Sequence, residues 1–306
     1  MILGGLVGLA ACSVWSEAKL REGGPTPYVR CLAARAPTDR NGRIGGVSFA
    51  VHERTLTVTP ERWPLRIAAF SGAGFGLPLR AAELTRIQQS HADVVLLVGG
   101  LGDDDANAVE NAKALSSSGR LVITLLGGRD RMAIARAAFE AAGEHAGIID
   151  ATALRRVSVA NNTLVTVAGA EQGRYAVDAD ACGFSPNDLA ALAKELGGPS
   201  ANERRWLLSW QAPAARPGLP SLVRTDQGLE LGSRQLGQFA EQIGALGAIS
   251  AWPVGRSDPQ AKGPLASLSV PRLFGPREEY PDGSRREPGL SVIEADRDGL
   301  RLVGGR

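Results

Sequence analysis

Residues 93–103 read Asp93-Val94-Val95-Leu96-Leu97-Val98-Gly99-Gly100-Leu101-Gly102-Asp103. A run of aliphatic residues with no polar alternation is what a strand buried on both faces requires, and such strands belong to parallel sheets covered by helices. The glycines that follow end the strand and permit a tight turn. Asp103, Asp104 and Asp105 then stand where a helix begins. A carboxylate there accepts from the free N–H groups of the first turn and opposes the helix dipole. With the helix continuing to about Ser116, this stretch is one strand–loop–helix unit.

The same unit recurs on both sides. Upstream, Leu65 to Phe70 is an apolar strand, the loop Ser71-Gly72-Ala73-Gly74-Phe75-Gly76 follows, and Leu79, Ala82, Leu84 and Ile87 carry helical spacing up to Ser90. Downstream, Leu121 to Leu126 is a third apolar strand, followed by Gly127-Gly128-Arg129-Asp130 and a helix from Met132 to Ala142. Three such units in a row predict a largely parallel sheet with right-handed crossovers. Ahead of them, Val47 to Val51 and Thr55 to Thr59 flank a polar turn and predict a hairpin. The later half is richer in strands: Thr163 to Ala168, Trp206 to Ser209, Leu265 to Val270, Leu290 to Ala295 and Leu300 to Val303. Helices are expected over Pro186 to Leu196, capped by Ser185, and over Ser233 to Leu246. The fold class is therefore α/β, a layered sandwich with parallel strand–helix units in its N-terminal half and a more β-rich C-terminal half.

The chain has 306 residues, 44% of them hydrophobic, enough for one large core or two domains. Its 34 Lys and Arg nearly balance 32 Asp and Glu, and a formal charge of +2 at this length gives no footing for nucleic-acid binding. Ile2 to Ala11 is an uncharged apolar run, shorter than the roughly 20 residues needed to span a bilayer but of the length of a secretory signal core. It ends Leu9-Ala10-Ala11-Cys12-Ser13, which resembles a bacterial lipobox, although no Lys or Arg precedes the run. The alternative is a buried N-terminal strand with an incidental cysteine. The resemblance implies a signal peptide over residues 1–11, lipidation at Cys12, and a lipid-anchored cell-envelope location, on the periplasmic or outer-membrane face if the cell is Gram-negative. The stretch 12–45, rich in Gly, Pro and Arg, then reads as a flexible tether, and 46–306 as the folded domain. Cys31 and Cys182 are left over. In an oxidising compartment they can pair; otherwise they are two buried thiols.

Ligands of α/β folds gather at the carboxyl ends of the strands. The loops there are Ser71-Gly72-Ala73, Gly99 to Asp103, Gly127 to Asp130, Ser209-Trp210-Gln211-Ala212-Pro213 and Ile249-Ser250-Ala251-Trp252. Their order, and the phrases Asp93 to Asp103 and Gly127 to Asp130 above all, resemble the calcineurin-like metallophosphoesterases over roughly residues 65–303. That family holds two metals on five ligand-bearing loops, where the pair activates a water and clamps phosphoryl oxygens. The resemblance implies ligands that this sequence lacks. Ser71-Gly72-Ala73 supplies neither the Asp nor the His of the first loop. Gly100 stands where the bridging Asp belongs, with Asp103 kept further on; Gly128 replaces an Asn ligand and Arg129 the catalytic His, with Asp130 kept. Gln211 lies where a His is due, and Ser250 to Pro253 contain no imidazole.

The chain's three histidines, His52, His91 and His145, fall on none of these loops. Glycine and alanine offer a metal no side chain. The expectation is therefore no metal, no cofactor and no catalytic residue. The chain reads as a pseudoenzyme, its partners a membrane through the lipid anchor and either an envelope protein or a small anion. An altered-site hydrolase using Asp103, Asp130 and Arg129 is the rival, and a small-anion-binding envelope protein the third reading. Ser71 and Ser209 have no His to activate them. Gly72, Gly74 and Gly76 miss the dinucleotide fingerprint because Leu77 takes the place of its third glycine. The glycine loops leave backbone N–H groups at helix starts that favour an anion, beside Arg129. Trp210 and Trp252 fall on the same loops, where they either pack or line a groove. The opposite outcome is that the loops collapse onto one another and leave no pocket.

Overall fold

The computed structural model describes residues 29–72, 79–102, 104–143, 147–171, 180–225, 227–252, 263–273, 278–279 and 285–305. The signal, Cys12, Asp103 and His145 lie outside them.

Two large sheets face each other. The first has seven strands: β4 (Leu65–Phe70), β5 (Val94–Val98), β6 (Leu121–Leu125), β7 (Ile148–Asp150), β12 (Gly263–Pro264), β14 (Ser291–Ala295) and β15 (Leu300–Gly305). Their order is β12-β15-β14-β4-β5-β6-β7. From β4 to β7 the pairing is parallel, with Ile67 opposite Val94 and Val94 opposite Leu121. β14 closes onto β4 antiparallel. The second sheet has eight strands: β1 (Arg40–Ile44), β2 (Val47–His52), β3 (Thr55–Pro60), β8 (Arg156–Val159), β9 (Asn162–Val167), β10 (Arg204–Ser209), β11 (Ala245–Ser250) and β13 (Ser267–Ser269). Their order is β13-β11-β10-β9-β8-β3-β2-β1.

The main core lies between the sheets, where Leu56, Val58, Val157 and Leu164 of one meet Leu65, Ile67, Val94 and Leu96 of the other. Helices α1 (Ala81–Gln89), α2 (Asp105–Ser116) and α3 (Met132–Ala142) add Ile87, Ala112, Leu115 and Ala135 to the same cluster. A second cluster sits on the far side of the eight-stranded sheet. There α4 (Pro186–Leu196) and α5 (Arg234–Gln242) lay Leu189, Leu192, Leu236 and Phe239 against Val165, Val167 and Leu207. Successive strand residues point to opposite faces, so Leu164 serves the first cluster and Val165 the second. The molecule is thus an α/β sandwich of four layers. Beyond α4, the outer face of β2 is bare: Val47, Phe49 and Val51 are buried while Ser48, Ala50 and His52 face solvent. Among the described residues no helix is long and apolar enough to cross a membrane.

Two sequence expectations need correction, and one left open is decided. The segment expected as a tether is folded from Val29 onward. Val29 and Arg30 pair parallel with Cys182 and Gly183, and Arg30 donates to the buried Asp188 carboxylate at 2.6 Å. Arg40–Ile44 forms β1 against β2. Its sequence, RNGRI, carries no apolar alternation because β1 is an edge strand with only partial burial. The helix expected over Ser233 to Leu246 stops at Gln242. Gly244 adopts φ +66°, a left-handed conformation that ends helices, and Ala245 already belongs to β11. Cys31 and Cys182 are joined by a disulfide, with their Cα atoms 5.5 Å apart across 151 residues of sequence.

Candidate functional site

The carboxyl ends of β4, β5 and β6 meet those of β9, β10 and β11, and the loops there are laced directly to one another. The Gly72 N–H donates to the Gly99 carbonyl at 2.9 Å, the Gly99 N–H to Leu125 at 2.7 Å, and the Gly169 N–H to Leu126 at 2.8 Å. Ser71 pairs with Arg272, Gly127 with Gly169, and Gln211 with Trp252 in isolated bridges. Glycine is required for this closeness: a Cβ on Gly100 would stand 2.5 Å from the Gly72 Cα, and Gly100 itself sits at φ +79°.

The space between the loops is filled by an indole. A Cβ on Gly99 would lie 2.2 Å from Trp210 Cδ1, and one on Gly127 would lie 2.5 Å from the same atom. Trp210 is 6% exposed. It stacks on Trp252 with ring centroids 6.0 Å apart and planes 11° from parallel. The Arg129 guanidinium lies over the Trp252 ring at 4.8 Å, and Arg129 is exposed. Contacts of that kind are worth about 0.5–1 kcal/mol at exposed sites. The two tryptophans therefore pack over the glycine loops.

Asp130 is buried at the centre. Its carboxylate accepts the Gly100 N–H at 2.9 Å, the Leu101 N–H at 3.1 Å and the Gly127 N–H at 2.6 Å. These are the backbone donors that the sequence offers to an external anion, and a carboxylate of the chain itself engages them. α3, which begins just past this loop, is capped from a distant segment: the Ala133 N–H donates to Asp180 Oδ2 at 2.8 Å. No sequence signal marks Asp180 for this role, since the two lie 47 residues apart.

Of the other site residues, Ser71 donates to the Pro271 carbonyl at 3.4 Å and Gly128 is buried. Gln211 is fully buried; its Oε1 accepts the Glu171 N–H at 2.7 Å, and its Nε2 has no hydrogen-bond partner among the described residues. Ser209 is turned to the Gln211 carbonyl at 2.8 Å. Neither described histidine approaches the loops by contact: His52 pairs with Asp39 at 2.7 Å on the β2–β3 hairpin, and His91 follows α1 at φ +52°.

No family model and no curated protein matches the chain. Solved structures do. One crystal structure aligns with 79% of this chain and 99% of its own length, at 13% identity and a TM-score of 0.52. A likeness at that identity concerns the fold alone. A second, the crystal structure of TT1561 of Thermus thermophilus, aligns over the same shares at 13% identity with a TM-score of 0.46, too low to carry an argument.

The two-metal centre implied by the sequence resemblance does not fit these loops. Gly100 and Gly128 offer no side-chain ligand, and the Trp210 indole stands against Gly99 and Gly127. Asp130 spends its carboxylate on backbone donors. Among the described residues no three His, Cys, Asp or Glu side chains form a group able to hold a metal ion. What this constellation does chemically is hold loops together, with Arg129 and the partly buried Trp252 as its outward face.

Proposed function

We propose that the chain is a catalytically inactive, metallophosphoesterase-like lipoprotein of the cell envelope, anchored through Cys12, whose domain binds or scaffolds a partner. The observation that carries this reading is the Trp210 indole packed against Gly99 and Gly127, where phosphoester chemistry would need open space and ligands. The Asp130 carboxylate supports it by engaging the donors that a substrate oxyanion would otherwise use. The Cys31–Cys182 disulfide accords with export to an oxidising compartment.

Elemental analysis of the purified chain, with assays on phosphate mono- and diesters, tests the inactive reading. The expected result is no stoichiometric Mn, Fe or Zn and no turnover; about two transition metals per chain would overturn it. The anchor is tested separately. Cys12→Ala is expected to leave the chain unprocessed or soluble, while the parent chain partitions with membranes and resists salt extraction, as stable acylation requires. Arg129→Ala tests the outward face. It should weaken capture of an envelope partner while changing stability by less than about 1 kcal/mol. A change in stability with no change in capture would make Arg129 structural.

A further inference from the structure

Away from the closed loops, three arginines are pinned together. The carbonyl of Arg54, at the β2–β3 turn, accepts the N–H groups of Arg155, just ahead of β8, at 2.7 Å and of Arg156, its first residue, at 3.2 Å. Their side chains line a cleft of about 420 Å³ with Glu53, Thr55 and Glu195, at the step where α4 stops covering the outer face of the sheet. Part of each guanidinium is committed to carbonyls. Arg54 donates to Ala34 at 2.8 Å and to Ala153 at 3.4 Å. Arg155 donates to Leu154 at 3.0 Å and to Leu32, and Arg156 donates to Leu196 at 3.1 Å.

The remainder is under-satisfied. Among the described residues, Nε of Arg155 and Nε of Arg156 are both buried with no hydrogen-bond partner. Glu195 comes only to 3.6 Å of Arg155 Nε, and its side chain is half exposed. Arg155 itself is 5% exposed. Burial, and then the neighbouring Arg54 charge, pull its guanidinium down to about 10. Three cations thus line the cleft against two carboxylates, Glu53 and Glu195. Buried charge with unmet donors is costly unless a counter-charge joins it, and planar guanidinium forks suit phosphate oxygens.

We propose that this cleft binds a phosphate group between Arg54, Arg155 and Arg156, with Glu195 as the competing carboxylate. The site is independent of the closed loops and of the inactive reading.

The test is a titration of the full chain, purified in detergent, with inorganic phosphate against chloride at matched ionic strength. Calorimetry and melting temperature are read together. Saturable binding and a rise in melting temperature are expected for phosphate alone. Arg156→Gln should weaken it by about tenfold or more, the worth of one charge-assisted hydrogen bond. Glu195→Gln should tighten it by roughly threefold or more, because a competing charge is removed. That variant, on a half-exposed residue, keeps the proposal testable if Arg156→Gln does not fold. A glycerophosphodiester that binds as well as inorganic phosphate identifies a lipid headgroup as the source; binding of inorganic phosphate alone identifies the free anion. No saturable response to either, or equal phosphate affinity in parent, Arg156→Gln and Glu195→Gln chains, overturns the proposal.

Discussion

An indole 2.5 Å from where a Cβ at Gly127 would stand leaves that position no room for a side chain, although its backbone does not itself demand glycine. Gly127→Ala should therefore cost about 1–3 kcal/mol by overpacking. In a Trp210→Ala background the same change should cost almost nothing. Denaturant unfolding of the two single variants and the double variant measures that coupling, and simple additivity would mean Trp210 does not fill the site. Asp130→Ala removes a charged acceptor from three backbone N–H groups at once. A loss of about 3 kcal/mol is expected, read as a lower denaturation midpoint. The absence of a ligand side chain at Gly100 and Gly128, and of an imidazole at Gln211, was legible from residue types alone. The inward turn of Trp210, and the use of Asp130 as a loop anchor, were not, because the direction of a loop side chain depends on neighbours far away in sequence. His52 offers a residue-scale pH test. Its hydrogen bond to Asp39, and then that carboxylate's charge, raise the imidazole above its ordinary 6.5. Asp39 is held below 3.8, first by the Glu53 N–H and then by His52. The raised group contributes fully below pH 6.5 and loses its contribution as pH rises through the folded value. The lowered group contributes above pH 3.8 and loses its contribution as pH falls through the folded value. An NMR titration of His52 should thus have its midpoint above 6.5, returning towards it in Asp39→Asn.

Helices α4 and α5 show how elements are finished. Ser185 accepts the Asp188 N–H at 3.3 Å while Asp188 accepts the Ser185 N–H at 3.0 Å, a reciprocal cap with Pro186 in the first turn. Such caps are written in local sequence, and Pro186–Leu196 and Met132–Ala142 stand where periodicity and flanking residues place them. The other ends depend on one buried cation. Arg205 donates to the carbonyls of Leu196 at 3.3 Å, Gly197 at 2.6 Å and Gly198 at 3.1 Å, and to Ile243, at the end of α5, at 3.5 Å. It also pairs with Glu203 at 2.8 Å. A guanidinium at two helix ends satisfies orphan carbonyls and opposes both dipoles. Arg205→Met should cost about 3–5 kcal/mol, because Glu203 and the carbonyls of Gly197, Gly198 and Ile243 lose this donor. Ser185→Ala should cost only about 1 kcal/mol. Thermal unfolding of the two variants side by side tests that ranking. Nothing in the sequence marks Arg205 as buried: with Arg204 it stands just ahead of the expected strand Trp206 to Ser209.

At the scale of the whole molecule, uninterrupted aliphatic runs such as Val94–Val98 disclose a sheet covered on both faces, which is why the layered α/β class was legible. The N-terminal segment was not, because its attachment rests on pairings across the chain rather than on pattern. Val29–Arg30 is a two-residue strand, Arg30 meets Asp188 158 residues away, and Cys31 meets Cys182. A crosslink between residues 151 apart withdraws about 5 kcal/mol of unfolded-chain entropy in the ideal-chain limit. Reduction, or joint Cys31→Ser and Cys182→Ser substitution, should lower stability by about 2–5 kcal/mol, seen as a fall in melting temperature that reductant does not deepen in the double variant. The same crosslink determines how the protein bears tension. A pull applied at the N-terminus enters the fold at Cys31 and crosses to Cys182, bypassing β1 to β9 and α1 to α3. Held between its two ends in an optical trap, the oxidised chain should release a contour shorter than the reduced chain by about 500 Å, the extended length of the bypassed residues. Tension entering at the N-terminus would thus pass around the parallel strands β4 to β7 and helices α1 to α3.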